Sequence, residues 1–570
     1  MKNNGTDFKK PYAKDFFGIE HIGYYPYPRE ELIKNPIFPY FVLDGGAFNL
    51  MNDRFGSADS QKILELTLSG ELFEIFKYKE KFNWEASFAY TKDTDFRKKY
   101  EWQIWPQRLY FTIPLAHKFL QTGDEKFAFA WLTIIKEWDK AHPYQEFDPD
   151  VSYFDTDMVW RDMQPAWRTM SLLHGIFMLQ DAPFSKEDWK YLYDFTELHI
   201  KHLYLEAIDR LKRNHAQNHV LQIGVVLLFA VSMFPEFENT KEMTKIGLDT
   251  VRMNLENAIF SDGGSDEDSP SYSHFIARLY LEALLLIDKN GYEEIPGLRE
   301  SVKKQYEWLY SCMTPNGKTL QLSDSYALDV MQDIKFASKL IELDFDKTQR
   351  SVYFPDSHIV VIRKGKQVVF IDAASFPAHH HHAGSPQIIS YYDTHPILVD
   401  TGVCNYDRWE MYYYLHNFKA HNVVYNDEFD DCFDCRVTAR FTKVDLEEGV
   451  VSIETKVCHK DGKSYVWTRD IKVTENSIDI YDKAASEIQM PFKSRLFFAK
   501  NDVYFPEGNK NTMQLLKQDF LMTLNSKKAV NMELAPVMNE KNEPDYAVVC
   551  QSGKVTDCFE NELSISFSER

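Results

Sequence analysis

Between His379 and Gly402 the sequence HHHHAGSPQIISYYDTHPILVDTG sets four consecutive imidazoles ahead of an apolar, aromatic run that closes on a carboxylate, Asp400. Imidazole and carboxylate are ligands of borderline divalent cations, and imidazole is also the side chain that exchanges protons near neutral pH. On an extended segment His380 and His382 share one face while their neighbours share the other. His382, Asp400 and, further on, His421 of the KAHNVVYN segment give a two-nitrogen, one-oxygen set that suits a single Zn²⁺ or Mn²⁺. A tag or an idle solvated loop is the other reading of a histidine run, but this one is internal and has apolar sequence on both sides.

Two further stretches carry candidate chemistry. In RNHAQNHVLQIGVVLLF, residues 213–229, Asn214, His215, Asn218 and His219 precede a strongly apolar helix. Amide and imidazole donors at a helix start can bind an acidic ligand, or simply cap the helix. In IFSDGGSDEDSPSYSHFIARLYLEAL, residues 259–284, an acidic glycine-bearing loop leads through Ser269 and Pro270 into a helix whose first turns carry Tyr272, His274 and Arg278. A tyrosine beside a cation can act as acid or base, although at a helix start it can equally be a packing residue. The same loop offers Asp266, Glu267 and Asp268, the carboxylates that a glycoside hydrolase would need. Trp160, Arg161 and Arg168 in MVWRDMQPAWRTM read either as contacts to a sugar and an anion or as core indole and surface charge.

Three regions must position these groups. Residues 1–55 are rich in Pro, Tyr and Phe and read as an irregular lead-in. From 56 to 346 apolar residues recur at helical spacing in about ten segments separated by Pro-, Gly- and Asp-bearing turns, which reads as stacked helical hairpins. From 347 to 570 the period falls to two, with turns at Glu448-Gly449, Asp461-Gly462 and Glu475-Asn476, which reads as an antiparallel β domain. The expected fold is therefore multidomain α + β, helices first and an antiparallel β-sandwich or sheet after, with the boundary near 345.

Composition narrows the class. A length of 570 residues is enough for two cores, and the 15% aromatic content suits either sugar-stacking surfaces or large helical cores. A net charge of −21 disfavours nucleic acid and anionic membrane as partners of the molecule as a whole. Seven scattered cysteines make no disulfide framework, and the lone Cys432-x-x-Cys435 lacks the second pair of a structural zinc site, so they read as mostly free thiols. The N-terminus has no apolar core of signal-peptide length and no stretch reaches a membrane span; the expectation is a cytoplasmic protein, or an exported one whose signal was removed.

The order of these features resembles the heparinase II/III superfamily of polysaccharide lyases: NH before an apolar helix, DG…E-x-SP-x-Y, H-x-H, a strand, L-V-D-x-G, Tyr, then A-H-N. The resemblance is detailed over about residues 150–430 and implies an (α/α) toroid ahead of the β domain. It implies Asn218 and His219 beside the carboxylate of a uronate, Tyr272 as catalytic acid/base and His380 as its partner. It also implies His382, Asp400 and His421 as a structural metal site, and Tyr406 as a weaker catalytic or substrate-contacting candidate. The expected activity is β-elimination on a uronate-containing glycan such as hyaluronan, chondroitin, heparan sulfate or alginate. A glycoside hydrolase and a noncatalytic glycan-binding protein are the alternatives. The chain departs from the pattern at Gln222 and Gly384, where relatives are often acidic, and in the split Tyr272-Ser273-His274.

Overall fold

A computed structural model describes residues 55–57, 59–76, 104–151, 158–235, 237–345, 349–403, 409–429, 431–500, 503–504, 510–517 and 519–569. Tyr406 and most of the lead-in through residue 55 lie outside the described residues. The chain divides into two compact units. One holds the described residues up to Ala258 together with Ile276–Arg299; the other holds Ile259–Phe275 and the residues from Glu300 onward. Secondary structure does change from helix to strand where the period changes, between the helix Met331–Ala337 and the strand Val352–Phe354. The compact units are cut differently, because the loop before Tyr272 and the segment 300–345 group with the strands.

The first unit is helical. Some of its helices start where the sequence supplies caps: Asp59 accepts from Lys62 N–H at 2.8 Å, and Ser185 and Asp188 form a reciprocal capping box ahead of Lys186–Lys212. The stretch from Trp105 begins as 3-10 turns and becomes α-helical only at Ile113–Thr122, since Pro106, Pro114 and a left-handed Leu109 interrupt it. Asn218–Met233 is apolar on all sides, and every residue from Val220 to Met233 is buried, as a central helix requires. Trp131, Trp138, Trp160, Trp167 and Trp189 are all fully buried, so much of the aromatic content fills this core. No described helix is long and apolar enough to cross a membrane.

The second unit is built on a fifteen-stranded sheet in which every pairing among the described residues is antiparallel. Val352–Phe354, Ile359–Lys364, Gln367–Asp372, Gln387–Tyr392 and His395–Leu398 pair in chain order, and two long strands, Ser477–Phe498 and Pro544–Glu569, carry the rest. Alternation drives this: Ser464–Val473 buries every second residue, and Val360, Ile362, Val369, Ile371, Ile478 and Ile480 share one core. Each such side chain contributes about 1.5–3 kcal/mol on burial. A second core gathers Phe376 and Ala383, which flank the histidine run, with Phe418, Val424, Tyr425, Phe492 and neighbours. The cysteines described, Cys312, Cys432, Cys435, Cys458, Cys550 and Cys558, are free thiols.

Candidate active site and metal group

The acidic loop is folded tightly against its own unit. Gly263 sits at φ +100°, and a Cβ there would come within 2.4 Å of the Lys304 carbonyl oxygen. Asp262 accepts from Asp356 N–H and Ser357 N–H, both at 2.8 Å, and so ties the loop to the chain ahead of the second strand. Pro270 then opens the helix Pro270–Asn290, presenting Tyr272 two residues into its first turn.

The histidine run passes in front of this turn. It is not a ladder strand, yet its side chains alternate as an extended segment demands. His380 and His382 both reach Asp324: His380 Nδ1 lies 3.1 Å from Oδ2 and His382 Nε2 2.9 Å from Oδ1. His381 turns the other way, to Asp372 Oδ2 at 2.8 Å. His379 is exposed, with Nε2 3.9 Å from Asp266. The imidazole of His380 stacks on the Tyr272 ring, centroids 3.7 Å apart and planes 14° from parallel, and its Nε2 lies 3.3 Å from Glu267 Oε2. Tyr272 and His380 are thus brought together as a stacked pair.

The electrostatics follow from these contacts. Burial works against a charge on His380, but the Asp324 hydrogen bond and the Glu267 carboxylate outweigh it and raise its pKa above the ordinary histidine value. Burial likewise opposes the charge on Asp324, and His416, His380 and His382 overcome it, holding that carboxyl well below its usual range. Burial and the neighbouring His416 push His382 down to about 3, leaving it neutral. On the acidic loop, burial raises Asp268 to about 7, and burial with the adjacent Glu267 raises Asp266 to about 6.

The three side chains whose ligand atoms lie mutually within 4.8 Å are Asp324, His382 and His416, all buried. Of the set expected from sequence, only His382 is in this group. Asp400 and His421 form a pair beside it: His421 Nδ1 is 2.6 Å from Asp400 Oδ1, and the His382 and His421 rings are 5.3 Å apart. The Asp400 carboxylate also accepts from Gln387 Nε2 at 2.6 Å, Thr401 N–H at 2.8 Å and Ser323 N–H at 3.1 Å. Those donors occupy it, whereas Asp324 stands directly under the two alternate histidines.

The residues fit a divalent cation. A buried ionised carboxylate and a neutral imidazole are the forms a metal takes, and His382 Nδ1 and His421 Nε2 are buried nitrogens without a hydrogen-bond partner. Asp324, His382 and His416 could hold the ion, with Asp400 and His421 adjoining. Bound there, it would neutralise carboxylate charge and fix the H-x-H segment, a structural contribution. Gly384 is required next to this group: a Cβ would lie 2.5 Å from His421 Cγ.

The remaining expected residues belong to the helical unit. Asn218 and His219 open the helix Asn218–Met233 and are partly exposed; the preceding Gln217 N–H donates to Asn254 Oδ1 at 2.9 Å. His219 Nδ1 lies 4.0 Å from Asp162, and burial keeps its pKa down at about 4 against that carboxylate's pull. Arg168 corrects the sequence expectation of a substrate contact. Its guanidinium is fully buried beside Trp138 and Trp160, 4.1 and 4.6 Å from the ring centroids, and donates to His199 Nε2 at 2.9 Å and to the Gln107 and Val159 carbonyls at 3.0 Å. Trp160 and Arg161 are buried with it. Interior packing, not a sugar, uses this arginine and indole.

Sequence reading missed Asp324, His416, Glu267 as the partner of His380, and Gln387. His416 stands five residues before His421 in YLHNFKAHN and was findable as one more imidazole; Asp324, in QLSDSY, lies 56 residues before His380 and carries no local signal.

The chain matches two family models in succession, the heparinase II/III N-terminus over residues 50–346 and the heparinase II/III-like C-terminal domain over 346–551. A heparin-sulfate lyase of Bacteroides stercoris is 25% identical over 254 residues, 41% of this chain and 36% of that protein; a heparin-sulfate lyase of Pedobacter heparinus is 24% identical over 250 residues with the same coverage. The match thus spans about a third of the length of these curated relatives. A crystal structure of heparinase III aligns with TM-score 0.69 at 14% identity, over 90% of this chain and 92% of that one, a likeness of fold.

Proposed function

From the premise that this chain belongs to the heparinase II/III family, we propose that it is a polysaccharide lyase that cleaves uronate-containing glycosaminoglycans by β-elimination. The observation that carries the reading is the Tyr272–His380 stack, with His380 held by Glu267 and Asp324. The C5 proton of a uronate is weakly acidic until the carboxylate charge is offset. Asn218 and His219 are proposed to donate hydrogen bonds to that carboxylate, an electrostatic contribution of several kcal/mol when preorganised. Tyr272 supplies the acid/base group and delivers a proton to the departing O4. His380, stacked on the phenol and held by Asp324 with Glu267 nearby, is proposed to position the tyrosine ring. The metal is proposed to be a single structural Zn²⁺ or Mn²⁺ at Asp324, His382 and His416.

A panel of hyaluronan, chondroitin, heparan sulfate and alginate, incubated with and without chelator, tests this. The expected product is a 4,5-unsaturated uronate with ultraviolet absorbance. Cleavage that yields only saturated ends would replace the lyase reading with hydrolysis by the carboxylates at 266–268.

A further inference from the structure

Much of the aromatic content is buried, but Phe433 is not: at 48% exposure it is the one exposed phenylalanine among the described residues of its unit. A lone apolar side chain on a surface is ordinary. Two things set this ring apart, how firmly it is held and what it lies beside. It stands inside Cys432-Phe433-Asp434-Cys435, between two buried thiols. The turn is locked by its own polar groups: Phe433 N–H donates to Asp431 Oδ1 at 3.0 Å, and Asp434 N–H and the Cys435 thiol donate to the Asp431 carbonyl at 3.1 and 3.4 Å. Lys460 adds its N–H to the Asp434 carbonyl at 2.9 Å and its Nζ to the Asp434 carboxylate at 2.5 Å.

Three further rings gather at Phe433. His416 lies 6.0 Å away between centroids and 28° from parallel, Tyr413 at 6.0 Å and Phe376 at 6.3 Å. Tyr413 is partly exposed, as is Tyr412, whose ring lies 3.9 Å from that of His416. His416 belongs to the metal group, with Nε2 3.7 Å from Asp324 Oδ1, and the same carboxylate holds His380. The aromatic patch therefore adjoins the candidate site within one unit. A pyranose presents C–H bonds on its face, and their slight positive charge suits the negative face of an aromatic ring. Such a stack needs no charge, so it complements groups that meet a carboxylate or sulfate elsewhere.

We propose that Phe433, flanked by Tyr413, is a stacking subsite for a sugar ring of the glycan chain beyond the residue cleaved, an inference that rests on the function proposed above. The ring touches no reacting atom. It binds substrate and transition state alike, and so lowers KM without setting kcat.

The test uses the full chain and size-defined hyaluronan, chondroitin and heparan sulfate oligosaccharides, with affinity read by calorimetry and turnover by unsaturated-product absorbance. On whichever glycan binds, Phe433→Ala should weaken affinity and raise KM by about three- to tenfold, the worth of one ring stack, with kcat held within about twofold. Phe433→Trp should keep wild-type affinity. Phe433→Leu, which keeps apolar packing but has no π face, should bind as weakly as the alanine variant. Unchanged affinity in Phe433→Ala overturns the proposal, as does wild-type affinity in Phe433→Leu, a loss confined to kcat, or a wild type that binds none of these glycans. The leucine comparison stands even if the alanine variant does not fold. Binding that depends on Phe433 without any unsaturated product would keep the subsite and overturn the lyase reading beneath it.

Discussion

Replacing Asp324 by Asn separates the role of its charge from that of its shape. The carboxylate accepts from His380 Nδ1 at 3.1 Å and His382 Nε2 at 2.9 Å and lies 3.7 Å from His416 Nε2, at 1% exposure. Asparagine keeps one acceptor oxygen and turns the other into an N–H₂ that faces a histidine donor. One charge-assisted hydrogen bond is thereby lost, about 1.5–3 kcal/mol, and buried imidazole charge loses a partner, which in a buried pair costs about 3–5 kcal/mol. Glu267 still faces His380, so the lower end applies to folding, about 3 kcal/mol. If His380 moves with respect to Tyr272, kcat on the responsive uronate polymer should fall by about a hundredfold with KM little changed. Thermal unfolding and steady-state kinetics on the same preparation measure both. A variant within threefold of wild-type kcat and with an unchanged melting temperature would refute the assignment of Asp324 as the residue that holds the H-x-H pair.

Other expectations follow from the same geometry. Asp268 has a folded pKa of about 7 because of burial, above its unfolded value, so its contribution is fully present below about pH 4 and is lost as pH rises through about 7. Its surroundings include His381, Asp372, Asp266 and Glu267. Asp268→Asn, at a left-handed position that asparagine tolerates, should flatten that part of the pH–stability curve and raise the melting temperature at pH 8 relative to wild type; an unchanged wild-type-minus-variant difference from pH 5 to 8 would count against it. Gly384→Ala places a methyl against the His421 ring and should destabilise by about 1–3 kcal/mol and reduce bound divalent metal measured by mass spectrometry. Asp482→Asn breaks the fully buried fork to Arg469, whose two bonds are 2.8 and 2.9 Å and whose guanidinium also donates to the carbonyl of Asn422, next to His421. It should cost about 3–5 kcal/mol in denaturant unfolding.

Much of this was legible because local periodicity and local chemistry agree. The apolar run of Asn218–Met233 and the alternating Ser464–Val473 each declare their element without tertiary help. The pairing of Tyr272 with His380 was legible only through the order of motifs, since 108 residues separate them and no spacing rule links a helix start to an extended segment. The metal group was harder. Asp400 ends an obvious strand return, but its oxygens are filled by Gln387, Ser323, Thr401 and His421, and which carboxylate meets the H-x-H pair depends on how QLSDSY packs. Arg168 misleads for a related reason: Trp and Arg near a Pro look the same in sequence whether they meet a sugar or each other.

The central claim is that Tyr272 transfers protons in an elimination. The most direct measurement compares wild type with Tyr272→Phe on whichever uronate polymer responds, reading unsaturated-product absorbance beside a binding assay on the same polymer. Loss of turnover by about a thousandfold, with affinity kept within a few fold, is the predicted result. Turnover by Tyr272→Phe at the wild-type rate, or chain cleavage by the wild type without any unsaturated end, would contradict it.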